Sequence, residues 1–147
     1  MKATKLICTA ILATAASFGA YAQDAAEDVN DPTVRCNDSL ATDARFSVIA
    51  DKMIIGYAGA PRRAVHRAAT SQERVAIGQW IEARKSCFDA GAQFRRAHLK
   101  SEEAAYARSA FVFQQMLVIR LLDGKVTYSD FNRQSLQLAA AATQEDL

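Results

Sequence analysis

Arg84 interrupts an apolar stripe. At the 100° per residue of an α-helix, Ile77, Trp80, Ile81, Cys87 and Phe88 share one face, and Arg84 projects among them. A guanidinium in that setting needs a carboxylate, a cluster of carbonyls or an outside anion. An acid of the first helical segment, such as Asp43, is a candidate partner. Arg120 shares a face with Ser109, Phe113 and Met116, in a last turn where the helix dipole welcomes a cation. Both arginines read first as structural pairs. A small-ligand binder or enzyme organised around Arg84 and Arg120 is the alternative. Arg62, Arg63, Arg67, Arg95 and Arg96 complete the set of candidate anion- or partner-binding residues.

Two cysteines, Cys36 and Cys87, follow the N-terminal leader described below. In an oxidising compartment an even pair reads as a disulfide, and two cysteines allow one connectivity. Zinc would need the help of His66 and His98, but no ligand pair has finger-like spacing. No metal or cofactor is expected.

Asp123-Gly124-Lys125-Val126-Thr127-Tyr128-Ser129-Asp130-Phe131 has the look of the second half of a calcium-binding loop. Calcium needs oxygen ligands at loop positions 1, 3 and 5, and Gly124 fixes position 6. Position 5 is then Asp123, but positions 3 and 1 are Leu121 and Ile119. The likeness is that of a helix stop followed by a helix start. There is also no Gly-rich phosphate loop, no His-Glu-x-x-His pair and no nucleophile elbow. These absences point away from an enzyme. Asn37-Asp38-Ser39 fits a glycosylation sequon but reads more cheaply as a turn and helix cap.

The elements that must position these residues are helical. Phe46, Ile49 and Met53 recur at helical spacing and predict a first helix from about 39 to 55. Residues 56–69 predict a basic connector with a helical turn after Pro61. Thr70 and Glu73 form a capping box for a second helix, which Phe94 extends to about 97. Gly91 lies on its apolar face, either to end the helix or to let a neighbour approach. Ser101 reads as the cap of a third helix, with Glu102 and Glu103 at its positive end. Its apolar residues, from Phe111 to Leu122, point nearly everywhere, so it should be buried at the centre of the fold. Asp123-Gly124 ends it, and Thr127 with Asp130 caps a fourth, weaker helix. The expected fold is all-α, a compact bundle of three to four helices pinned by one disulfide.

Lys2 and Lys5, the apolar run Leu6 to Ala16, and Ala20-Tyr21-Ala22 have the anatomy of a cleavable secretory signal over residues 1–22. Cys8 sits inside the apolar run, the wrong place for a lipid-modified cysteine, so no membrane anchor is expected. Residues 23–37 read as a flexible acidic arm, and 38–147 as a single helical domain. Without the leader, 16 basic residues face 16 acidic ones, which argues against a nucleic-acid partner. The charge is uneven, at −5 over residues 23–51, +7 over 52–100 and −2 over 101–147. The basic stretch, Arg62 to Lys100, predicts a surface for an anionic partner or an acidic protein.

The leader, Cys36, Asp43-Ala-Arg-Phe, Trp80-x3-Arg84-x2-Cys87 and the late Gly124-Lys-Val-Thr-Tyr-x2-Phe together resemble small exported helical proteins of proteobacteria. The resemblance implies an envelope or periplasmic setting and carries no activity. The sequence therefore predicts a periplasmic or secreted interaction protein, meeting an envelope protein or an anionic envelope component.

Overall fold

Asp31 and Pro32 start the first helix. In the computed structural model, which describes residues 31–56, 61 and 63–142, the Asp31 carboxylate accepts from the Thr33 amide at 2.7 Å. Proline at the first helical position needs no donor there. Helix α1 therefore runs Pro32–Leu40, and it continues as a 3-10 turn Ala44–Phe46 and a short α2, Ser47–Ala50. Helices α3 (Ser71–Ala90), α4 (Ala92–His98), α5 (Ser101–Leu122) and α6 (Tyr128–Ala142) follow. Among the described residues there is no strand. The fold is an all-α bundle in which α1, α3, α5 and α6 are the long members. The leader, residues 23–30, the connector's 57–60 and Arg62 lie outside the described residues.

Several boundaries differ from those the sequence suggests. The acidic arm does not reach residue 37, because 32–37 are helical and Asn37 is 2% exposed inside α1. That burial also removes the turn-and-cap reading of Asn37-Asp38-Ser39. The single helix over 39–55 is instead a broken path. Asp43 turns its carboxylate onto the Arg45 amide at 2.9 Å and so starts a new segment. Farther on, Asn132 of α6 accepts from Ile54 N at 3.0 Å and donates to the Lys52 carbonyl at 2.8 Å. A side chain about 80 residues distant thus takes backbone groups a helix would use. Phe46, Ile49 and Met53 still reach the core as their spacing demands.

The connector carries no helical turn over residues 63–70. Its carbonyls are used elsewhere: Val65 and Arg67 accept from Ser129 N and Tyr128 N, the first amides of α6. Thr127 and Asp130 complete that start as the expected capping box. The Thr70–Glu73 box at α3 is likewise present. At α5 the cap is Lys100 rather than Ser101, with Glu103 reaching back to the Lys100 amide at 2.7 Å. Gly124 ends α5 at φ +71°, and the Lys125 amide closes back on the Arg120 carbonyl.

The core gathers on α3, not on α5. Phe46, Ile49, Ile77, Trp80, Val118, Leu121, Tyr128 and Phe131 are fully buried, and Trp80 meets Phe131 edge to face. Helix α5 gives Leu117, Val118 and Leu121 to this core but leaves four large apolar side chains in solvent. The Cys36–Cys87 disulfide joins α1 to α3, the most extensive helix pair of the fold.

Gly91 separates α3 from α4, and the cause is close approach. Its φ of −81° suits any residue, but a Cβ there would lie 1.8 Å from Thr33 Oγ1 of α1. Arg95 locks the same seat: buried, it donates to Thr33 Oγ1 at 2.6 Å and to the Phe88 carbonyl, and stacks on the Phe88 ring. Gly91→Ala gains up to about 1 kcal/mol of helix propensity. Overpacking at this contact costs about 1–3 kcal/mol and prevails. The variant's urea midpoint should fall. A midpoint at or above that of the parent would show that α1 can move away from Gly91 freely.

Candidate functional site

The fold disperses the six candidate arginines that lie among the described residues. Arg62 lies outside the described residues. Arg95 is internal, as above. Arg84 lies part-buried with its guanidinium over the Trp80 ring at 5.4 Å, while Asp43 is engaged by Arg45 at 2.6 Å. Arg96 is exposed on α4, and Arg120 is exposed at the end of α5, 3.5 Å from Gln134. His98 stacks on Phe94 at 4.4 Å.

Arg67 has an acid of its own. Its guanidinium grips Glu73 with two bonds of 2.6 and 2.7 Å, and Lys52 Nζ approaches the same carboxylate at 3.1 Å. The Glu73 side chain is 4% exposed, and its carboxylate also accepts from the Thr70 amide. The hydrogen bonds from Arg67 hold the Glu73 carboxyl far below the usual carboxylate range, and this outweighs the opposing effect of burial. Beside it, burial raises the Tyr128 hydroxyl well above the usual phenol value. Lys52, Arg67, Thr70 and Glu73 thus join α2, the connector and α3 in one polar knot. In the sequence Glu73 reads as a cap and Arg67 as a candidate partner-binding arginine. Nothing local pairs them, because the contact depends on how the connector folds back over α3.

Arg63 and His66 do come together, with Arg133 of α6. An open groove runs between the connector and α6, lined among others by Pro61, Ala64, Asn132 and Leu136. Among the described residues no acidic side chain lines it. Arg63 leans toward Asp51 at 3.5 Å and Arg133 toward Asp130 at 3.2 Å, both arginines mostly exposed. Such pairs contribute about 0–1 kcal/mol and are easily exchanged for another anion. Leu136, 56% exposed, gives the groove an apolar side. Arg133 was not singled out in the sequence, since it sits in the acidic C-terminal third and only the fold carries it to the basic connector. Neither Arg84 nor Arg120 lines this groove.

Among the described residues, no three His, Cys, Asp or Glu side chains converge on a point where a metal ion could sit. No described helix is long and apolar enough to cross a membrane. Compared with known protein families, with curated proteins and with solved structures, the chain finds no match in any of the three.

Proposed function

We propose that this is an exported, periplasmic protein that acts by binding, and that the groove between the connector and α6 receives an acidic segment of an envelope protein. The observation that carries this reading is the pairing of Arg63, His66 and Arg133 on one groove, with no carboxylate among its described lining residues. The apolar Leu136 and Ala64 beside them suit an amphipathic acidic segment better than a bare ion. The disulfide accords with an oxidising compartment, and the leader's anatomy supplies the route there.

Affinity capture from the producing cell's own envelope fraction tests the proposal. The parent protein should retain a partner that salt releases, since exposed charges are screened within about 8–10 Å. Arg63→Glu combined with Arg133→Glu should weaken that capture about tenfold or more. Both side chains are mostly exposed, so the thermal midpoint should hardly move. A doubly reversed protein that captures the same partner in the same yield would rule the groove out.

A further inference from the structure

The second half of helix α5 is apolar nearly all round, and the other described residues cover only part of it. Val112, Phe113, Met116 and Ile119 are 48%, 42%, 56% and 56% exposed. Single exposed apolar residues are ordinary, but four on one side of one helix form a face. The face has a register. Glu102, Ala105, Ser109, Val112, Met116 and Ile119 are all exposed and recur at alternating steps of three and four, the seam of a coiled coil.

The seam is graded in size and in charge. Its first half is small, with Ala105 and Ser109, and its second half large, with Val112, Met116 and Ile119. Glu102 and Arg120 stand eighteen positions apart, about five turns, and so share one side of the helix at opposite ends. Neither is in an ion pair with another described residue. Arg120 has only its 3.5 Å contact with Gln134. Glu103, by contrast, is engaged by Lys100.

We propose that α5 pairs with α5 of a second copy of this chain as an antiparallel, two-fold coiled coil. A two-fold axis between residues 110 and 111 sets Ala105 opposite Met116 and Ser109 opposite Val112. It also brings Glu102 beside Ile119 and Arg120. Each small residue then receives a large one, and each lone acid meets a lone arginine. Antiparallel helix dipoles add to the attraction. A parallel pair would place Glu102 on Glu102 and small residue on small residue, leaving gaps. The helix is about 33 Å long, room for about three heptads. A self-match of size and charge about one axis is a requirement of an isologous interface. An unrelated protein or a lipid surface would not demand it.

Sedimentation velocity over a range of concentrations reads this directly. The protein should sediment as a dimer, and Met116→Glu should raise the dissociation constant about tenfold or more. Met116 faces solvent in the single chain, so the variant's helical circular dichroism should be unchanged. Glu102→Arg and Arg120→Glu should each weaken the dimer, and the two together should restore it. Arg63→Glu with Arg133→Glu should leave it intact, which separates this interface from the groove. A monomer at millimolar concentration overturns the proposal, as does a dimer indifferent to Met116→Glu. Failure of the double charge exchange to restore pairing overturns the antiparallel register. A monomer that binds lipid vesicles, and loses that binding with Met116→Glu, would assign the face to a membrane surface instead.

Discussion

Glu73→Gln should lower the unfolding free energy by about 3 kcal/mol, at the lower end of the range for breaking a buried ion pair. Glutamine keeps the shape and an oxygen for the Thr70 amide but removes the charge that answers two cations. Neither cation is fully stranded. Arg67 is 46% exposed and can turn to water, whereas the Lys52 side chain is 17% exposed and falls back on Asp51 at 3.6 Å and the Val48 carbonyl. Those outlets are why the lower end is expected. The same site gives the fold an acid slope. A carboxyl with a depressed folded pKa stabilises in full above its unfolded value, about 4.3, and ceases to do so as pH falls through the folded value. For Glu73 the loss begins below about pH 5 and continues far into acid. Asp43 and Asp130, lowered by Arg45 and by Thr127 with Arg133, keep their slopes in both proteins. The stability gap between parent and Gln variant should therefore narrow between pH 7 and pH 3 in urea titrations. Parallel curves would show that the Glu73 carboxylate is not the group stabilised by the knot.

Much of this arrangement was present in the sequence as local chemistry. The capping boxes at Thr70 and Thr127 and the stop at Gly124 are decided within a few residues, and the structure keeps them. Asp31-Pro32 was equally local. Read as part of an arm, it is the start of α1, a cap followed by a proline at the first helical position. The broken path after Leu40 was not local, because Asn132 takes the backbone groups of Lys52 and Ile54 from the far end of the chain. The candidate site divides in the same way. Arginine composition marked a basic stretch, but whether an arginine faces inward depends on tertiary neighbours. Arg95 is buried by α1, Arg67 finds Glu73, and Arg63 meets an arginine from another segment. The apolar third helix shows the limit of periodicity most clearly. Its composition demanded cover, and the described residues of a single chain supply it on one side only.

Removing the Cys36–Cys87 bond should have a larger effect than any change on that exposed face. The bond closes a span of 51 residues, and chain entropy alone assigns it about 4 kcal/mol. Its loss should not be felt evenly. Helix α1 has nine residues, too few to hold a helix alone in water, where about 12–15 are marginal. It stays because Cys36 is bonded to α3, Thr33 sits against Gly91 and Arg95, and Leu40 reaches the core. With the first of these gone, the remaining contacts must oppose the conformational entropy of a short helix. We therefore expect Cys36→Ala with Cys87→Ala to lower the urea midpoint and to open α1 first. Hydrogen exchange distinguishes the two parts. The amides of Asn37 to Leu40 should lose most of their protection, while those around Trp80 and Val118 should fall only with the global stability. Equal loss in both places would mean that α1 and α3 unfold as one unit. Unchanged exchange and an unchanged midpoint would mean that packing at Gly91 holds α1 without the crosslink.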